Sequence, residues 1–151
     1  MIEKMNPNYI YTWHSLELDA MNLADKIGRG KYKYILAVSK AWLVPAYYLA
    51  KHLWIEVVVS MSLSNVVFER TWLKWPTVKH SFEWATSEIK TPQDWLLVDA
   101  ISDTWMTLEY LKKEHKFIKT VVFIQKKTAW MKADYFGREV ENVRIELPYN
   151  K

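Results

Sequence analysis

The densest group of chemically capable side chains lies between Leu96 and Glu109, where Asp99, Asp103, Thr104 and Thr107 fall close together. Trp95 to Val98 is a short apolar run suited to a strand buried on both faces, and it ends in Asp99. Leu108 and Leu111, three apart, open a helical pattern. The spacing therefore predicts a strand, a tight loop and a helix start. The first turn of a helix carries unpaired N–H groups and the positive end of the macrodipole, which suit a phosphate. Thr104 and Thr107 add hydroxyl donors. Asp99 and Asp103 cannot ligate a phosphate, which leaves them sugar hydroxyls, a metal ion or a proton in transit. An Asp/Thr cap after an ordinary buried strand accounts for the same residues without any ligand.

The elements that must position this group can be read from periodicity. Tyr9 to Thr12 is β-leaning. Leu16, Ala20, Leu23, Ala24 and Ile27 then recur at helical spacing until Gly28 and Gly30 stop the helix. Tyr34 to Val38 reads as a buried strand, followed by Ser39-Lys40-Ala41-Trp42 and a helix over Leu43 to Leu53, with Pro45 in its first turn. Ile55 to Met61 is a third strand. From Ser62 to Gln93 no period holds, as expected of a functional flap. After Trp95 to Asp99 and a helix over Thr104 to Glu114, Lys119 to Gln125 is the next strand, and Asp134 to Tyr149 leans toward strand. Alternation of strand and helix implies a parallel sheet covered on both faces, with ligands at the carboxyl ends of its strands. Three loops converge there: 39–42, 99–107 and 125–130.

The chain has 151 residues, half of them hydrophobic and a quarter charged. That predicts one globular domain over 1–151. No apolar run approaches the ~20 residues of a membrane span, and Met1 to Asn8 lacks the build of a signal peptide. Absence of cysteine excludes disulfide and thiolate chemistry and makes a cytoplasmic location the default. The net charge of +4 favours an anionic partner. Lysines are scattered without a basic run, so a phosphate-bearing small molecule is expected and nucleic acid is not. His14, His52, His80 and His115 are isolated, with no zinc-ligand spacing. Nine Trp stand against three Gly. Average usage of about 7% predicts roughly eleven glycines, the number reached if eight tryptophans were read as glycine.

The stretch Leu96 to Glu109 resembles the 5-phosphoribosyl 1-pyrophosphate (PRPP) motif of type I phosphoribosyltransferases, aliphatics followed by two acids, two variable residues and Asp-Thr-Gly-x-Thr. Val98, Asp99, Asp103, Thr104 and Thr107 match it. Ile35 to Ala46 is similar to the family's pyrophosphate loop, Ala-Val-Ser-Arg-Gly-Gly-Leu-Val-Pro. Tyr9 to Trp13, Lys126 with Asp134-Tyr135, and Arg144 to Tyr149 resemble the start, the base-reading lysine and the Trp-Ile-Glu-x-Pro-Trp ending of the xanthine-guanine subfamily. The resemblance implies an α/β fold: a central, mostly parallel sheet flanked by helices, a flap over about 62–93, and a hood from the N- and C-terminal segments, the latter over about 126–151.

It also implies a purine salvage enzyme that transfers phosphoribose from PRPP to a 6-oxopurine with release of pyrophosphate, using Mg2+, as a homodimer or homotetramer. Ser39, Lys40, Ala41 and Trp42 would hold pyrophosphate. Asp99, Ser102, Asp103, Thr104, Trp105, Met106 and Thr107 would hold the phosphoribosyl group, with Asp99 also facing the metal ion and Asp103 as general base. Lys126, Arg144 and Ile145 would meet the base, and Arg70 or Lys74 of the flap the pyrophosphate. For Lys126 and Lys127 an ordinary solvated pair is the plainer reading. The alternatives are a non-catalytic PRPP- or nucleotide-binding regulator of the same fold, and a phosphoribosyltransferase for another base.

Departures from the pattern are specific. Ala100 replaces the second acid, Lys40 stands for Arg and loses a bidentate fork, and Arg144 stands for an aromatic. Trp42 and Trp105 occupy glycine positions where backbone must approach phosphate, and Trp54 and Trp95 stand where the family often has Gly. A gene in which UGA encodes glycine, decoded with a table that reads Trp, accounts for them. Trp13, which matches a family Trp, is the exception. UGG codons at 42 and 105 would end that account.

Overall fold

The structure is a computed structural model that describes residues 8–38, 43–61, 91–102, 118–129 and 132–149. Its elements are β1 (Tyr9–Ile10), α1 (Trp13–Ile27), β2 (Tyr34–Val38), α2 (Leu43–Leu53), β3 (Val57–Met61), a 3-10 turn (Pro92–Asp94), β4 (Trp95–Ser102), β5 (Lys119–Lys126), β6 (Tyr135–Val140) and β7 (Ile145–Glu146). The larger sheet has five strands in the order β3-β2-β4-β5-β6. Every pairing in it is parallel.

Local chemistry sets the boundaries. Thr12 accepts a hydrogen bond from the Ser15 amide at 3.1 Å, satisfying one of the free donors at the start of α1. Leu16, Ala20, Leu23, Ala24 and Ile27 form its buried stripe, and Gly28 ends it at φ 87°. In the middle of the sheet Leu96, Leu97, Val98, Val121, Val122 and Phe123 are all fully buried. Strands covered on both faces need such unbroken apolar runs.

One expectation is corrected. β4 does not end at Asp99 but continues to Ser102, with Asp99 paired to Val122, Ile101 to Ile124 and Ser102 to Gln125. An acid breaks an apolar run in sequence, yet the ladder offered by β5 carries the backbone three residues further. β5 likewise runs one residue beyond its predicted end, to Lys126.

A second, two-stranded sheet joins β1 to β7 in parallel, Tyr9 opposite Ile145 and Ile10 opposite Glu146. It brings the N- and C-terminal segments together as expected of a hood. The predicted helix over 104–114, most of the flap, and the loop 39–42 lie outside the described residues.

Candidate functional site

Crossovers in one direction deliver β2, β4 and β5 side by side, all with their carboxyl ends at one edge. Neighbouring strands are about 4.8 Å apart, so the three ends span roughly 10 Å. Ser39, Lys40, Ala41 and Trp42 leave from the end of β2, and Asp103, Thr104, Trp105, Met106 and Thr107 from the end of β4. All nine lie outside the described residues, as do Arg70 and Lys74. Ser102 is the last residue of β4.

Asp99 is the acid whose surroundings are defined. Its side chain is 2% exposed. Its carboxylate accepts from the backbone N–H groups of Ile101 and Ala100, but Oδ1 has no hydrogen-bond partner among the described residues. Burial pushes its pKa up to about 7, against the opposing effect of those two N–H groups. A buried acceptor left unpaired costs on the order of 1–3 kcal/mol, which makes this oxygen a candidate ligand position.

Lys126 closes β5 and is 8% exposed. Register and the two-residue period of a strand place it on the face of the sheet that carries Asp99: Asp99 pairs with Val122, and Lys126 lies four residues beyond Val122. Lys127, next in the chain, is exposed and bonded to Glu141. A solvated pair therefore describes Lys127 and not Lys126. Asp134 and Tyr135, which the resemblance groups with Lys126, stand at the opposite end of the sheet. Tyr135 pairs with Val121, and the Asp134 carboxylate accepts from the Thr120 amide at 2.8 Å and its hydroxyl at 3.0 Å. From Thr120 to Lys126 is about 20 Å along the strand, so Asp134 and Tyr135 have a structural task there.

The hood encloses a cavity of about 550 Å³ between Ile10, Tyr11, Thr12 and Trp13 on one side and Arg144, Ile145, Glu146, Leu147 and Pro148 on the other. Arg144 and Ile145 thus share one pocket with Trp13. Asp99 and Lys126 do not line it.

Residue reasoning assigned no role to two further groups. Tyr149 follows the hood strand, and its ring packs on Trp13 at 6.1 Å, which in turn meets Tyr48 of α2 at 6.4 Å. Its buried hydroxyl has no partner among the described residues. Desolvation raises its pKa, and so does the charge of nearby Asp99. The second group is a clamp. Arg138 grips Asp19 with Nε at 2.7 Å and a terminal nitrogen at 2.8 Å, Tyr11 donates to Asp19 at 2.5 Å, and Arg138 also donates to the Tyr9 hydroxyl at 2.7 Å. All members are paired, so the clamp fixes α1 and β1 against β6 rather than binding a ligand. An Asp six residues into an amphipathic helix, with an Arg in the tail, was its only sequence signal.

No group of three or more acids, histidines or cysteines that could hold a metal ion occurs among the described residues. No helix among them is long and apolar enough to cross a membrane.

No protein-family model matches the chain. A xanthine-guanine phosphoribosyltransferase from Nitratidesulfovibrio vulgaris is 27% identical over 103 residues, covering 68% of this chain and 59% of that protein. The match thus spans less than two thirds of the curated relative. Among solved structures, a purine phosphoribosyltransferase from Pyrococcus horikoshii superposes with a TM-score of 0.73 at 22% identity, covering 95% of this chain and 94% of the other. A Neisseria gonorrhoeae protein solved with bound ppGpp gives 0.76 at 22% identity, over 99% and 92%. The Helicobacter pylori xanthine-guanine-hypoxanthine phosphoribosyltransferase gives 0.65 at 21% identity, over 94% and 91%.

Proposed function

On the phosphoribosyltransferase fold that the chain adopts, we propose a purine salvage reaction: transfer of the phosphoribosyl group from PRPP to a 6-oxopurine. A purine ring nitrogen attacks the anomeric carbon of PRPP. A C–N bond forms, the bond from that carbon to pyrophosphate breaks, and the nitrogen's proton leaves to a base. The observation that carries this reading is the buried Asp99 carboxylate, with one oxygen unpaired among the described residues, three residues before the end of β4 between its parallel neighbours β2 and β5.

Each role follows from chemistry. The Asp99 carboxylate accepts from ribose hydroxyls. Asp103 takes the purine proton as general base. The backbone and hydroxyls of 102–107 hold the 5′-phosphate, and Ser39, Lys40, Ala41 and Trp42 the leaving pyrophosphate. Lys126 donates to the purine 6-carbonyl, which excludes adenine because an amino group cannot accept that bond. Arg144 lays its guanidinium plane on the base beside Ile145. The segment 62–93 closes over the site, with Arg70 or Lys74 toward pyrophosphate.

The Asp99 carboxylate is a hard oxygen donor of the kind magnesium takes, and with no cluster of acids around it among the described residues substrate oxygens and water would complete the shell. When bound, Mg2+ would neutralise charge on the departing pyrophosphate. A cytoplasmic homodimer or homotetramer belongs to the same proposal.

Incubation of the protein with PRPP and Mg2+ and each of guanine, xanthine, hypoxanthine and adenine tests it. Turnover restricted to the 6-oxopurines is expected, with Lys126→Ala raising the purine KM about tenfold or more and leaving PRPP affinity unchanged. Turnover of adenine alone would transfer the reading to another base. A second reading, a nucleotide-binding regulator without turnover, is favoured by Ala100, Trp42 and Trp105. The ppGpp-bound Neisseria gonorrhoeae neighbour suits it as well. Binding of PRPP or GMP with no product would establish it.

A further inference from the structure

The hood pocket has two walls, residues 10–13 and residues 144–148, and Arg138 of β6 lies in neither. It nevertheless holds both. Six residues beyond Arg138, past the end of β6 at Val140, the chain enters the second wall at Arg144. The first wall is bracketed by Tyr9 and Asp19, and Arg138 donates to each, to the Tyr9 hydroxyl at 2.7 Å and to the two Asp19 oxygens at 2.7 and 2.8 Å. Tyr11, within that wall, donates to the same Asp19 at 2.5 Å, and the Arg138 guanidinium lies 5.2 Å from its ring. Gly137 lets α1 come this close, since a Cβ there would stand 3.2 Å from that of Asp19.

The Arg138–Asp19 pair is largely buried, and such a pair adds little net stability over apolar side chains of the same volume. What a planar fork adds is geometry. Arg138 meets both Asp19 oxygens and keeps a third donor for Tyr9, which the single ammonium of a lysine cannot do. The pair therefore offers one donor and one acceptor to two hydroxyls that stand two residues apart on the same strand face. A slip of β1 by one residue would lose both bonds. We propose that Arg138 is a positioning residue for the hood pocket: it sets the spacing of the two walls, and with it the affinity for the purine ring between them, without touching that ring. This rests on the reading of the pocket as the place of the base, through Arg144 and Ile145.

Tyr9→Phe removes one hydroxyl bond and leaves the Arg138–Asp19 pair in place, whereas Arg138→Lys keeps the charge and loses the fork. Calorimetry with GMP, which carries the base, and with PRPP, which does not, separates positioning from plain stability when done well below the melting temperature of each variant. GMP is expected to bind about fivefold more weakly to Tyr9→Phe and about tenfold or more to Arg138→Lys, with PRPP affinity unchanged in both. In the Arg138→Lys background Tyr9→Phe should add nothing, because the bond it removes has already gone. Should Arg138→Lys not fold, Tyr9→Phe alone decides. GMP affinity unchanged in the variants, GMP and PRPP weakened alike, or additive effects in the double variant would overturn the proposal and leave the clamp a stabilising contact. If wild type binds PRPP but not GMP, the reading of the hood pocket as the place of the base fails, and this proposal with it. If it binds neither, the phosphoribosyltransferase reading fails first.

Discussion

At position 54 the backbone turns through φ 59° directly after α2, making Trp54 the one non-glycine residue with positive φ among those described. That region costs an L-residue about 1–2 kcal/mol and costs glycine nothing. The ring is 77% exposed and its compensation is a stack on Arg29 at 4.8 Å. Trp54→Gly should therefore be more stable than Trp54→Ala by about 1 kcal/mol, the reverse of the usual order, as thermal melting would show. This bears on the tryptophan excess. Trp54 sits where the backbone asks for glycine, whereas Trp95 is extended, buried and packed on Tyr34 at 4.8 Å, so its position makes no such demand. Tyr11 gives a second residue-level outcome. Burial first, then its bond to Asp19, raises the phenol's pKa above its usual 10.0. The folded state keeps a proton that the unfolded chain releases, so stability is full below pH 10 and falls as pH rises beyond it, by up to about 1.4 kcal/mol per unit. Melting curves from pH 8 to 11 should show this fall, flattened in Tyr11→Phe.

Among the elements, the edge strand β6 carries the tightest constraint. A Cβ on Gly137 would stand 2.7 Å from the Phe123 carbonyl and 3.2 Å from Asp19 Cβ. Gly137→Ala must push β6 from β5 or α1 from the sheet, and a loss on the order of 2 kcal/mol is expected in denaturant unfolding. Removing one partner of the clamp beside it, Asp19→Ala, strands the Arg138 charge and should cost on the order of 3 kcal/mol. Elements with a clean period were legible in sequence. β2 and α2 match their predicted limits, and α1 its stop at Gly28. What misled was local polarity. Asp99 looks like the end of a strand because a lone charge usually is, and only pairing with β5, absent from any local window, keeps it inside. Lys126 and Lys127 look like twins in sequence, and only the strand end, where one side chain is buried and the other is exposed, separates them. The Asp19–Arg138 clamp joins residues 119 positions apart, a distance no spacing rule covers.

Across the whole molecule, stability and the candidate site divide between two sheets. The five-stranded sheet buries its centre, while the hood rests on two residue pairs and Leu147. Short sheets with few buried contacts open at lower free energy than a core. Hydrogen exchange should show the Tyr9 and Tyr11 amides, bonded to Arg144 and Glu146 carbonyls, exchanging well before those of Val121 to Ile124, and slowing when GMP is bound. Uniform protection would mean that the hood is part of the core. α1 spans both regions. Its middle is pinned to β6 through Asp19, and its first residue, Trp13, carries Tyr149, about 9 Å further along the axis. A helix fastened at mid-length behaves as a beam on a pivot. Drift in the sequence of β6 would thus be felt at Trp13 and through it at the far end of the helix, giving natural variation a way to tilt the hood from a strand that lies outside it.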